Sequence, residues 1–135
     1  MQQTYYKKQL VLLGGGHAHV QVLRKLCMNF YEWLHVILVN DSLESAYSGM
    51  TPAYIQDFYK INEIMIDLQR LCFNAGVTFV NDEVIQLQTE KKKVILKNHP
   101  SIHYDLLSIN TGCISKRNNI KIYENSKNIF IKPIN

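Results

Sequence analysis

Cysteine is sparse and scattered: Cys27, Cys72 and Cys113 are the three in 135 residues. No CxxC or CxxxxC spacing joins any two of them, which excludes a zinc site or a local redox disulfide built from sequence neighbours. Long apolar runs are missing as well. Leu10 to Leu13 follows Lys7 and Lys8 but stops at three glycines, too short for a signal-peptide core or a membrane span. These absences lead us to expect a reduced, cytoplasmic chain with no membrane segment. Neither sign of charge dominates, with 15 Lys and Arg against 11 Asp and Glu. The excess sits in lysines 91–93 and after Lys116, which reads as a solvated turn and tail rather than a nucleic-acid surface. There is no internal repeat or low-complexity linker. With 47% hydrophobic and 19% charged residues, the composition is that of one ordinary globular domain, which excludes disordered and fibrous classes.

Residues 9–13 end in an unbroken apolar run before Gly14, the pattern of a strand buried on both faces of a parallel sheet. From His17, the residues Val20, Leu23, Cys27 and Phe30 recur at helical intervals while Gln21, Arg24 and Lys25 fall on other faces, so a helix follows the glycines. Residues 36–39 form a second strand, closed by Asn40, Asp41 and Ser42. Strand, glycine turn, helix and strand together spell a right-handed βαβ unit. Residues 43–59, with Gly49 and Pro52 and no clear period, read as a long loop holding at most one helical turn after Pro52. Then Ile61, Ile64, Met65, Leu68, Leu71, Cys72 and Ala75 form one continuous helical stripe, stopped by Gly76. Residues 77–80 are a third buried strand, 83–89 and 94–97 an antiparallel hairpin around a polar turn, and 106–109 a return into the parallel sheet. His99 and His103 fall on the hairpin surface.

A diphosphate needs backbone N–H groups it can approach closely. Glycines between a strand and a helix N-terminus provide them, and the helix dipole adds a favourable potential. Gly14, Gly15 and Gly16 stand at that junction. Against GxGxxG, Gly14 and Gly16 match, and His19 stands where the third glycine belongs, so the motif is imperfect. The strand before it, the helix after it, and Asn40 or Asp41 at the end of the next strand, about 20 residues on, supply the confirming context. The alternative is a glycine turn that serves only tight strand-to-helix packing, with Asp41 an ordinary turn former. His17 and His19 are expected to line or cap the site. Two positions apart on a helix, they point to different faces, so they are not expected to bind a metal.

Four runs carry a resemblance across nearly the whole chain: LVLLGGGHAHV (10–20), YSGMTPAYIQDFY (47–59), IDLQRLC (66–72) and YDLLSINTG (104–112). They resemble the FAD-binding N-terminal part of type II NADH dehydrogenase-like flavoproteins in the pyridine nucleotide-disulfide oxidoreductase superfamily, the kind associated with selenide, water dikinase. The resemblance implies an α/β, Rossmann-like FAD/NAD(P)-binding domain with a central parallel sheet, helices and a small antiparallel hairpin or meander. It implies that Gly14, Gly15 and Gly16, with His17, Ala18 and His19 at the helix start, hold the FAD pyrophosphate. Asn40 and Asp41 would lie by the adenosine ribose, and Val84 would offer backbone contacts to adenine. Thr111 and Gly112 would close over the cofactor as in the family's ATG-like motif, written here Asn110, Thr111, Gly112. Gly49, Met50 and Pro52 would lie near the flavin ring, against the plain alternative of a surface loop. Disulfide reductases of the superfamily carry paired cysteines after the second strand. Residues 41–59 contain none, so disulfide-reductase chemistry is not expected. Cys113, next to the closing glycine, is either a reactive thiol or a buried inert one.

Proteins of this kind pass electrons from NAD(P)H, held by a second nucleotide-binding domain, through FAD to an acceptor. The expectation for this chain is residues 1–115 as the FAD-binding domain and 116–135 as an exit segment toward a missing NAD(P)H domain. The 23 residues after Gly112 are too few for another βαβ unit of about 30. No catalytic residue is assigned, and the isolated chain is expected to be inactive. The alternative is a non-catalytic dinucleotide- or ADP-binding module, or a truncated relic. Nucleic acid is not expected as a partner.

Overall fold

In the computed structural model, which describes residues 7–112, the chain opens with β1 (Lys8–Leu13), helix α1 (His17–Met28) and β2 (Leu34–Asn40). An excursion follows: β3 (Glu44–Ala46), a 3-10 turn (Ser48–Met50), α2 (Thr51–Ile55), α3 (Ile61–Ile64) and β4 (Met65–Asp67). Helix α4 (Leu68–Ala75) leads into β5 (Thr78–Asn81). Then β6 (Val84–Gln88), β7 (Lys93–Leu96) and β8 (Ile102–His103) precede β9 (Leu106–Ile109). The central sheet has the order β5-β2-β1-β9, and every pairing in it is parallel. β6, β7 and β8 form a separate antiparallel sheet.

The side-chain period of a strand puts neighbours on opposite faces, and both faces here are covered. Leu12, Val36 and Leu38 pack against Val20 and Leu23 of α1 and Leu68 and Cys72 of α4. Val11, Leu13, Ile37 and Val39 face the other way, onto Val94 and Leu96 of the antiparallel sheet. The result is three layers with two apolar seams. Each large side chain fully buried in them contributes about 1.5–3 kcal/mol relative to exposure. This is why β1 and β2 read as continuous apolar runs.

Several elements depart from the sequence reading. Residues 61–75 do not form one helix. Met65–Asp67 pairs antiparallel with Glu44–Ala46, so those residues take their hydrogen bonds from a neighbouring strand instead of the preceding turn. The Asp67 carboxylate then accepts the Arg70 N–H at 2.8 Å and starts α4 afresh. Ile64, Leu68 and Cys72 are buried on both sides of the break, and their four-residue spacing kept the apparent period intact. The 43–59 stretch holds β3 in addition to the helical turn expected after Pro52. Helix α1 ends at Met28, because Asn29 is extended (φ −138°) and turns the chain toward β2. Phe30 consequently lies beyond the helix and is 82% exposed, and Cys27 in the last turn is exposed as well, so neither joins the buried stripe to which the periodicity assigned it. Gly76 ends α4 with φ +64°, as its sequence position required.

Asp82 closes the junction between the two sheets. It is buried, and its carboxylate accepts hydrogen bonds at 2.7–2.9 Å from the Glu83 N–H, the Asn98 backbone and side-chain amides, and the His99 N–H and Nδ1. His99, assigned to the hairpin surface, is thus a half-exposed member of this clamp; His103 is exposed. Folding also brings Cys27 beside α4, with Sγ 4.0 Å from the Leu71 carbonyl oxygen. Cys113 and the exit segment lie outside the described residues. No helix among those described is long and apolar enough to cross a membrane.

Candidate functional site

Because the four central strands run parallel, their carboxyl ends share one edge, where open α/β sheets offer a crevice for ligands. That edge carries Gly14 after β1, Asn40 at the end of β2, Asn81 at the end of β5 and Asn110 after β9. Three strands therefore end in a neutral amide, and the hydrogen bonds join them. Gly14 N–H donates to the Val39 carbonyl at 2.8 Å. Gly15 N–H donates to Asn40 Oδ1 at 2.7 Å, while Asn40 Nδ2 donates to the Ser42 carbonyl. Asn81 Nδ2 donates to the Asn40 carbonyl at 3.0 Å.

The glycine turn is held from the β9 side by Asn110. Gly16 N–H donates to the Asn110 carbonyl at 3.1 Å, and Ala18 N–H to Asn110 Oδ1 at 3.1 Å. Gly14 has φ +89°, and a Cβ there would lie 2.5 Å from the Asn110 carbonyl oxygen. A Cβ on Gly16 would fall 2.1 Å from Asn110 Oδ1. The glycines are thus required by the protein's own packing. Helix α1 has no acidic residue in its first turn, so the positive end of its dipole is not offset by a carboxylate. The backbone amides of His17 and His19 have no acceptor among the described residues.

The two histidines diverge, as their spacing required. His17 is exposed, and its ring meets Tyr47 with centroids 4.9 Å apart. His19 does not line an open site. It is 2% exposed, with Nδ1 donating to the Gly14 carbonyl at 2.7 Å and Nε2 2.8 Å from Ser108 Oγ. It fastens the turn to β9 from inside. The residue in place of the third glycine therefore does structural work that a glycine could not.

The remaining assigned residues sit around this edge. Asp41 is exposed just beyond β2. Gly49 and Met50 belong to the 3-10 turn and Pro52 to the first turn of α2. The His17–Tyr47 contact brings the start of this segment to the first turn of α1. Val84 is half-buried at the start of β6, two residues after Asp82, whose N–H donates to the Asn40 carbonyl. Thr111 and Gly112 are exposed past β9, Gly112 with φ +78°. The sequence reading missed the Asn110 side chain, Ser108, Asn81 and Thr51, the last a buried residue whose Oγ1 has no partner among the described residues. The recurrence of Asn at three strand ends was a visible signal for two of them.

A scan against protein-family models and a search of curated proteins return no match. Solved structures do match. The sulfide:quinone oxidoreductase of Aquifex aeolicus is 23% identical with a TM-score of 0.68, over 78% of this chain and 24% of that one. The ferredoxin reductase for the CYP199A2 system of Rhodopseudomonas palustris is 22% identical with a TM-score of 0.68, over 84% and 28%. NDH2 of Plasmodium falciparum, solved in complex with NADH, is 16% identical with a TM-score of 0.68, over 84% and 24%. The chain spans about a quarter of the length of each of these proteins. It shares the Rossmann-like α/β fold of the matching segments of these proteins.

Proposed function

We propose that this chain is the FAD-binding segment of an NAD(P)H-dependent flavoprotein oxidoreductase, contributing chiefly the seat for the ADP moiety. The observation that carries this reading is the glycine turn at the carboxyl edge of a parallel sheet, opening onto the uncompensated N-terminus of a twelve-residue helix. The residues present fit a diphosphate: two first-turn amides have no acceptor among the described residues, and α1 carries no carboxylate. The His17 and His19 amides would hold the phosphates, with Gly14, Gly15, Gly16 and Ala18 giving them close approach to the backbone. Asn40 and Asp41 would meet the ribose, Val84 the adenine, and Thr111 and Gly112 would close over the cofactor. Gly49, Met50 and Pro52 would border the ring system. FAD held there would supply the two-electron redox chemistry, with NAD(P)H bound by another part of a complete enzyme. We place the domain at residues 1–115, in a cytoplasmic protein. The finer likeness to the flavoprotein associated with selenide, water dikinase rests on the sequence motifs alone.

A second reading, a non-catalytic ADP-binding module, is favoured by one observation. Among the described residues there is one strand–glycine turn–helix unit, so nothing described holds a nicotinamide beside a flavin, whereas an ADP moiety needs that unit alone. Calorimetric titration separates the readings. An FAD segment should bind ADP and FAD within about tenfold of one another, about 1.4 kcal/mol, and carry some flavin absorbance on purification. Colourless protein that binds ADP and rejects FAD supports the module. Failure to bind either ligand overturns both.

A further inference from the structure

A cavity of about 470 Å³ lies between α1 and α4, within the range of small-molecule sites. Nothing in the nucleotide reading uses it beyond His17 at its end. Helical geometry explains its walls. His17, Val20, Gln21 and Arg24 occupy positions i, i+3, i+4 and i+7 of α1, so one stripe of that helix faces the cavity. Asp67, the N-cap of α4, and Arg70, Leu71 and Asn74 within it repeat the same spacing. Packed helices ordinarily meet on apolar stripes. Here the apolar contact is made deeper, by Leu23, Leu68 and Cys72, and two largely polar stripes flank the opening.

The charges at this opening are unbalanced. Arg24 donates to Gln21 Oε1 at 3.4 Å. The salt bridges among the described residues, Lys8–Asp105, Lys97–Glu83 and His99–Asp82, engage neither Arg24 nor Arg70. Asp67 is the one acid of the lining, and its Oδ1 is hydrogen-bonded to the backbone N–H of Arg70. Two arginines therefore line one concavity with a single carboxylate beside them, and an anion placed there is attracted by both. Val20, Ile66 and Leu71 supply an apolar surface, to which the Tyr47 ring, in contact with His17, adds an aromatic wall. A planar carboxylate matches the guanidinium fork, and a flat apolar body matches the rest.

We propose that the α1–α4 groove is a binding site for a small carboxylate with a flat apolar body, its charge held by Arg24 and Arg70. The groove shares only His17 with the nucleotide assignment. The probe is 2-naphthoate, titrated into the full chain and followed by calorimetry and by amide NMR shifts. The expected result is shifts grouped at residues 17–24 and 66–74, and a loss of affinity of about tenfold or more in the Arg24→Gln, Arg70→Gln double variant. On the unaltered protein the neutral 2-naphthamide should bind about tenfold more weakly, a comparison that stands whether or not the variant folds. Saturating ADP should leave 2-naphthoate binding unchanged. Absence of binding, equal binding of acid and amide, unchanged affinity in a folded double variant, shifts scattered over the surface, or displacement by ADP each overturn the proposal.

Discussion

Asn110 caps helix α1 from the far side of the sheet: its Oδ1 accepts the Ala18 N–H at 3.1 Å across a sequence separation of 92 residues. The local N-cap residue is Gly16, which has no side chain to do this. Helix start and strand end are therefore one unit, held together by an amide that occupies part of the space beside the glycine turn. Asn110→Ala should lower stability by about 1 kcal/mol, the ordinary value of a lost N-cap, measured by urea denaturation. It should leave ADP affinity undiminished or improved, because the Ala18 N–H becomes free. A large loss of ADP affinity in a folded variant would show that Asn110 itself holds the ligand.

Gly16→Val tests the close approach directly. The new Cβ would stand 2.1 Å from Asn110 Oδ1 and 2.6 Å from the Asn110 carbonyl oxygen, and the second of these is backbone that cannot swing away. We expect a destabilisation of about 1–3 kcal/mol from overpacking, together with loss of ADP binding. Combined with Asn110→Ala, part of the stability loss should return, since the nearer obstacle is gone, while the carbonyl remains. Strict additivity in denaturation measurements would contradict this geometry.

The Asp82 clamp gives the protein an acid-sensitive joint. Burial acts to raise the Asp82 carboxyl, but the hydrogen bonds from His99, Asn98 and Glu83 outweigh it and hold the group well below the usual carboxylate range. A depressed folded-state value means that the stabilisation is fully present above the unfolded carboxyl value, about pH 4. It is lost as the pH falls from there toward the folded-state value. Asp82→Asn should melt at a lower temperature at pH 7 and show a flatter fall in melting temperature below pH 4 than the unaltered chain. Parallel acid limbs in the two proteins would remove Asp82 as their cause.

Cys27 and Cys72 should separate chemically. Burial, with a smaller contribution from Cys27, pushes the Cys72 thiol up to about 12, and the thiolate is the reactive form. Cys27 is exposed. At pH 8, iodoacetamide should label Cys27 in the folded protein and reach Cys72 only after unfolding in denaturant, as read by peptide mass spectrometry. Equal labelling rates under native conditions would mean that α4 opens on the timescale of the reaction.

The sequence alone determined the parallel framework. Runs such as Val11 to Leu13 and Val36 to Val39 are apolar at every position because both faces of their sheet are buried, and the glycine turn and helix between them fix the strands as parallel. It also determined where the glycine turn lies and where α4 stops, since Gly14 and Gly76 occupy backbone conformations that other residues reach at a cost. What it could not determine was decided by contacts between distant segments. Residues 65–67 became a strand because 44–46 offered them hydrogen-bond partners, a choice no local period records. His19 turned inward because Ser108 and the Gly14 carbonyl were there to satisfy its ring. Asn110, read as one letter of a closing motif, became the cap of α1 for the same reason. Helical period and glycine position are properties of one segment, whereas the partner of a polar group is a property of two. The second becomes fixed only when the tertiary structure brings them together.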